Sequence, residues 1–180
     1  TPPTIDGKLT EDVWQQTPLI PELRLLADGS AATEKTAVWM AYDKQGIYVA
    51  LRCRESQMSK LVAKYSQRGD PLYLDDDVEL FILPSELSRV YQFAINPLGT
   101  QSDNFGNKAD WKAAAHRVAD EWTVEVFIPF AALGLTGPPA GGLAWGMQFG
   151  RQQKAKRETT SWTPGASFIS KESLGEIVFR

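Results

Sequence analysis

Asp75, Asp77 and Glu79 alternate along one short run, DDDVELFIL. Residues two apart on a strand share a face, so this run sets carboxyls side by side. Two carboxyls about 5 to 5.5 Å apart are the equipment of a retaining glycosidase. A catalytic β-sandwich using Glu79 with Asp75 or Asp77 is therefore one alternative. Other reaction chemistries are poorly supplied. One His (His116) and one Cys (Cys53) exclude a Cys/His zinc site, a His-based triad, a two-His iron centre and an internal disulfide. Met40 and Met147 with His116 keep a haem-binding electron-transfer sandwich open as a further alternative, although Met within a strand is ordinarily core.

Binding chemistry is better represented. The chain of 180 residues carries 6 Trp, 5 Tyr and 8 Phe, and aromatic rings cover the apolar C–H faces of sugars as readily as they fill a core. Glu79, Gln92, Asn96, Glu125 and Gln148 all lie on the mixed faces of alternating runs. If the runs are neighbours in one sheet, these residues form a patch of hydrogen-bonding groups that suits a neutral polyhydroxylated ligand better than an ion. With Lys plus Arg at 19 and Asp plus Glu at 22, the formal net charge is -3, so no basic surface is available and nucleic acid is excluded as a partner.

The elements that position these residues are short. Period-2 alternation predicts strands over 36–42, 47–54, 78–83, 90–96, 122–128, 143–151 and 174–179, with a weaker one in 19–26. Asp43 to Gly46 reads as the turn of a hairpin between the first two. Helical signals are confined to a capped turn through Val13 and Trp14, an amphipathic stretch over 57–66, and one turn from Phe130 to Leu133 closed by Gly134. The fold expected is all-β: an antiparallel β-sandwich, jelly-roll or immunoglobulin-like, with one or two short helical turns. Residues 1–180 read as one domain. No apolar run reaches the roughly 20 residues of a membrane-spanning helix, so no membrane insertion is expected. A start without Met at a Pro-rich segment reads as part of a larger polypeptide.

Six segments in order sharpen this picture: IDGKLTEDVWQ (5–15), DDDVELFILP (75–84), YQFAINPLGTQSD (91–103), WTVEVFIPFAALG (122–134), WGMQFGRQ (145–152) with ETTSWTP (158–164), and SLGEIVF (173–179). Taken together they resemble the family 9 carbohydrate-binding modules, which occur attached to xylanases and other secreted polysaccharide-active proteins. The resemblance implies a distorted, non-catalytic β-sandwich that grips the end of a glucan or xylan chain between two aromatic rings. It places Trp162 at one ring and Tyr73 at the other, where the best-known member has Trp. Glu79 matches the family's sugar-contacting glutamate, and Asn96, Gln148 and Arg151 lie on matching strands. It also implies structural calcium, for which Asp6, Asp43, Asp75, Asp77 and Asp103 are the candidate ligands; no organic cofactor is implied. The partner expected is a polysaccharide or oligosaccharide, with covalently attached domains, in an extracellular, periplasmic or cell-surface setting.

The remaining aromatic and charged residues have plainer expected roles. Trp14, Trp39, Trp122 and Trp145 sit on regular faces and read as core, and Trp111 fits either role. Tyr73 and Trp162 have loop-like neighbours, so Trp162→Ala is expected to lose binding without unfolding. Asp75 to Asp77 read equally as a solvated strand end. Glu125 has Arg151 as an expected ion-pair partner, and Lys154, Lys156 and Arg157 read as a solvated loop.

Overall fold

The computed structural model describes residues 1–165 and 167–180. Eleven strands run in chain order as β1 (Arg24–Leu25), β2 (Thr36–Tyr42), β3 (Gly46–Arg54), β4 (Asp77–Leu83), β5 (Tyr91–Ile95), β6 (Gln101–Asp103), β7 (Lys112–Arg117), β8 (Glu121–Pro129), β9 (Ala144–Gln153), β10 (Glu158–Ser161) and β11 (Gly175–Val178). They form two antiparallel sheets. The smaller has the order β2-β3-β8-β7, and the larger the order β1-β10-β9-β4-β5-β6. β11 lies beside the first half of β9, from Gly175 opposite Met147 to Val178 opposite Ala144. β10 takes the second half of the same edge.

The sheets face each other across a core built from the alternating apolar positions. Val78, Leu80 and Ile82 of β4, Phe93 and Ile95 of β5, and Trp145, Met147 and Phe149 of β9 meet Val38, Val49, Leu51, Val124 and Val126 from the smaller sheet. Trp122 and Trp145 are buried in this core, as their positions predict, and Met147 is held there too.

A second, smaller core covers the outer face of the smaller sheet. Leu9 and Trp14 from the N-terminal segment pack on Trp39, Tyr48 and Ala50. Glu125 anchors the segment: its carboxylate accepts from the backbone N–H of Asp6 (2.9 Å) and Gly7 (2.8 Å) and from Trp14 Nε1 (2.7 Å). The expected Glu125–Arg151 ion pair is thus not formed. Glu125 points outward from the smaller sheet, whereas Arg151 points into the opposite end of the sandwich. The strap approaches β7 so closely that a side chain on Gly7 would lie 2.6 Å from the Ala115 carbonyl carbon.

Only single 3-10 turns interrupt the strands, at Asp12–Gln15, Met58–Lys60, Leu72–Leu74, Phe130–Leu133 and Lys171–Ser173. The amphipathic stretch at 57–66 forms one such turn and then runs extended, because buried carboxylates take its backbone donors. Asp76 accepts from Val62 N–H (2.7 Å), and Asp75 accepts from Lys64 and Tyr65 N–H (both 3.0 Å). Asp75, Asp76 and Asp77 are all fully buried, so they are not a solvated strand end. None of the described helices is long and apolar enough to cross a membrane.

Candidate functional site

The outer face of the larger sheet carries the polar patch. Register sets Glu79 opposite Ala94 of β5 and Gly150 of β9, and Phe81 opposite Gln92 and Gln148. Asp77, Glu79, Gln92, Ala94, Gln148 and Ser102 therefore turn to the same side, away from the core residues Val78 and Leu80. Two covers close the ends of this face. Residues 61–76 lie over one end, held by Asp75 and Asp76. The other end is covered by residues 163–165 and 167–174. There Gln148 Nε2 donates to the carbonyls of Thr163 and Ser173, both at 2.8 Å. Phe168 rests on Gly150, where a Cβ would lie 2.6 Å from its ring.

Beside the first cover, between residues 69–73 and 102–107, a cleft of about 380 Å³ stays open, lined by residues that include Tyr73, Asp77, Glu79, Gln92, Asp103 and Asn104. Glu79 is 4% exposed and is held from both sides. Gln92 Nε2 donates to its Oε2 at 2.6 Å, and Gln152 Nε2 to its Oε1 at 3.1 Å. Burial pushes the Glu79 carboxyl above its ordinary range, opposed by these two amides and by the charge of Lys154. Lys154 Nζ donates to Gln152 Oε1 (3.0 Å) and to the Tyr73 carbonyl (2.6 Å). One ammonium thus links the aromatic residue to the carboxylate.

Tyr73 is 60% exposed on the 3-10 turn that Leu72, 1% exposed, anchors beneath it. A ring so placed presents a flat apolar surface with little conformational entropy left to lose. Opposite it, Asp103 accepts from the N–H groups of Phe105 and Asn107 and from Trp111 Nε1 (3.0 Å), fixing the far wall. Trp111 is 1% exposed and edge-on to Phe93 at 5.0 Å, so its role is packing.

The other expected site residues lie elsewhere. Asn96 is fully buried; its Nδ2 donates to the Tyr65 carbonyl and Asp75, while its Oδ1 accepts from Leu98 and Thr100 N–H. Gln148 is buried under the cover it holds. Arg151 points into the end of the sandwich, where its guanidinium meets Glu55 at 3.2 Å and Thr36 Oγ1 at 3.2 Å. Trp162 follows Ser161, which pairs with Gly150, and its own N–H donates to the Phe149 carbonyl. Its ring therefore faces inward with Phe149 (centroids 6.2 Å apart) and lies against Gly175, where a Cβ would sit 2.5 Å away. Tyr73 and Trp162 are not brought together.

The five aspartates expected to hold calcium do not gather. Asp43 accepts from Gln45 and Gly46 N–H and from Tyr48 Oη, closing the β2–β3 hairpin. Asp6 accepts from Lys8 N–H on the exposed strap. Asp75 and Asp103 are occupied as above, and Asp77 borders the cleft with Glu79. Among the described residues no three His, Cys, Asp or Glu side chains assemble to hold a metal ion.

Gln152 and Lys154 were not foreseen. Gln92 was legible from alternation, but Gln152 reaches Glu79 from one register step away on β9, and Lys154 from the turn beyond it. Nothing in sequence separates that lysine from the neighbouring Lys156 and Arg157.

No curated protein matches the chain. Among solved structures, a putative carbohydrate-binding protein from Bacteroides uniformis superposes with a TM-score of 0.72 at 17% identity, over 89% of this chain and 85% of that one. A family 9 carbohydrate-binding module from Caldicellulosiruptor kristjanssonii, in complex with glucose, gives a TM-score of 0.72 at 18% identity, over 100% of this chain and 92% of that one. The cellotriose complex gives the same TM-score and identity over 100% and 90%. The sandwich is thus shared across wide sequence divergence. The family model for carbohydrate family 9 binding domain-like sequences matches residues 5–178, nearly the whole of both sheets and both covers, and the chain belongs to that family.

Proposed function

We propose that this domain binds the end of a neutral oligosaccharide or polysaccharide of the glucan or xylan type in the cleft between residues 69–73 and 102–107, without breaking its bonds. The observation that carries this reading is the pairing of an exposed ring, Tyr73, with a carboxylate, Glu79, that two glutamines hold in place. A sugar laid on the ring buries its C–H face, and its equatorial hydroxyls donate to Glu79 and accept from the amides. Asp70, Asp77, Glu79 and Asp103 line the cleft, and no Lys or Arg does among the described residues. Like-charge repulsion then disfavours uronic or sulfated chains.

Glucose and cellotriose occupy the two Caldicellulosiruptor complexes, which supports the same ligand class here. Asn96, Gln148, Arg151 and Trp162 serve this reading as supports of the walls, not as contacts. The natural setting is extracellular, periplasmic or cell-surface, as a module joined to other domains. Asp75 is tied to Lys64, Tyr65 and Asn96, which leaves a hydrolytic reading only Asp77 with Glu79.

The test is a glycan array with glucan, xylan and charged oligosaccharides, run with and without calcium, followed by calorimetry and a reducing-sugar assay. Binding of neutral β-glycans, lost in Glu79→Ala with no sugar release from either protein, is the expected result. Failure to bind any neutral glycan, or sugar release that Glu79→Ala abolishes, would overturn the proposal.

A further inference from the structure

Asp77 has a property that no other carboxyl bordering the cleft shares. It is fully buried, and neither carboxyl oxygen has a hydrogen-bond partner among the described residues. Its neighbours are otherwise satisfied: Asp75 by Lys64, Tyr65 and Asn96, and Asp76 by Val62 and Lys154 N–H. Asp77 opens β4 and lies on the face of Glu79, two residues on. It borders the cleft together with Glu79 and Tyr73, so the unpartnered carboxyl lies just beneath the cleft floor.

A buried polar group without a partner costs about 1–3 kcal/mol, and more if charged. Nothing in the packing of β4 needs that cost, because an apolar side chain of similar shape would fill the position. A group kept at such a cost in a cleft wall fits a ligand-reading role, in which binding supplies the missing partner. We infer that Asp77 is a second ligand-binding carboxyl of the cleft, which hydrogen-bonds a saccharide hydroxyl beside the one held by Glu79. The inference rests on the proposed carbohydrate function and adds a specificity-determining residue to it.

The surroundings favour the neutral form of Asp77. The charged groups facing it are Glu79, Asp75 and Asp76 on its own segment and Lys154 from the β9–β10 turn. Asp70 and Asp103 share the cleft, and Arg68 is engaged by Asp103 and the Ala109 carbonyl. Burial, then the Glu79 charge, pushes the Asp77 carboxyl well above the ordinary range, with Lys154 opposing. A neutral carboxyl carries one O–H donor and one carbonyl acceptor. Glu79, an acceptor when ionised, lacks the donor. Side by side, the two groups can hold hydroxyls that both give and receive a hydrogen bond, directly or through one water. A sugar carboxylate cannot donate and carries the same charge as Glu79, so acidic sugars fit the pair less well.

Two substitutions separate this role from a structural one. Asp77→Asn keeps the shape and both a donor and an acceptor; Asp77→Leu keeps the approximate shape and removes both. With cellotriose and xylotriose as probes in calorimetry, Asp77→Asn is expected to bind within about threefold of the natural protein. Asp77→Leu is expected to lose about tenfold, the worth of one hydrogen bond to a buried partner. In thermal unfolding without sugar, Asp77→Leu is expected to melt above the natural protein, since the free domain loses its unpartnered carboxyl. A fall in the melting temperature of both variants, or unchanged sugar affinity in Asp77→Leu, would overturn the inference. If the natural protein binds neither probe nor any glycan on the array, the carbohydrate reading fails and the inference falls with it. If the natural protein binds and Asp77→Leu binds equally well, only the inference fails.

Discussion

The two aromatic residues that sequence pairs as a clamp, Tyr73 and Trp162, are expected to respond to truncation in opposite ways. A Tyr side chain buries about 150–250 Å² when fully covered. With Tyr73 60% exposed, about 120 Å² of it is open, and a sugar on one ring face hides about half of that. At ~25 cal/mol per Å² the stacking contact is worth about 1.5 kcal/mol, or roughly tenfold in Kd. Because the ring touches little else, Tyr73→Ala changes folding stability by less than about 0.5 kcal/mol. Trp162 faces inward on Phe149 and Gly175. Removing a core aromatic costs about 3–5 kcal/mol, and for a half-buried ring about 2 kcal/mol, a drop of about 4–8 °C in Tm at this chain length. Calorimetry with the tightest neutral glycan from the array, run beside differential scanning fluorimetry, reads both effects. Tyr73→Ala is expected to bind weakly at unchanged Tm, and Trp162→Ala to melt early yet bind normally well below its Tm. Lost affinity at unchanged Tm in Trp162→Ala, with normal binding in Tyr73→Ala, would refute the placement of both rings.

Two further predictions probe the scaffold. Lys154 joins the Tyr73 carbonyl to Gln152 and so to Glu79. Lys154→Met is expected to weaken sugar binding several-fold by titration calorimetry while Tm shifts little; unchanged affinity would reduce the lysine to a solvated surface residue. Glu125 is held by three N–H donors, yet burial outweighs them and pushes its carboxyl up from 4.5 to about 7. The native state then keeps a proton that the unfolded chain releases, so stability is full below about pH 4.5 and falls as pH rises through about 7, by up to about 3 kcal/mol. Urea unfolding at pH 5 and pH 8 measures the loss, and Glu125→Gln is expected to shrink it; an equal pH difference in that variant would place the titrating group elsewhere.

Alternation made most of the sandwich legible. All seven strands it predicts form, and β4, β5, β8 and β9 turn their assigned apolar faces to the core, because period-2 hydrophobicity and a two-sided core are the same constraint. β7 escaped because KAAAHR has no alternation. It is a strand because β8 pairs with it, and the bare backbone of Gly7 crosses it at Ala115. The 57–66 stretch has helical spacing, but carboxylates 10 to 14 residues downstream capture its backbone donors, a tertiary effect outside any local window. In the cleft, Tyr73, Glu79 and Gln92 were legible from position and face. Asn96 and Gln148 lie on the correct face, yet the covers enclose them. TTS reads as loop, whereas Thr159, Thr160 and Ser161 are paired in β10, and that pairing turns the Trp162 side chain inward.

The same covering argument explains why the open cleft lies where it does. Each sheet has an outer face that needs shielding, and the chain treats the two differently. The smaller sheet receives a strap with its own apolar core, Leu9 and Trp14 on Trp39 and Tyr48, which leaves no uncovered polar patch at that contact. The larger sheet is covered through polar contacts: carboxylates hold residues 61–76, and Gln148 holds the cover that begins at Thr163. Such covers can leave part of the face open without exposing a hydrophobic floor, because the uncovered strip is already polar. Glu79, Gln92 and Ser102 occupy that strip. Because the cleft already lies open on the outer face, binding there requires no opening of the core and no movement of either sheet.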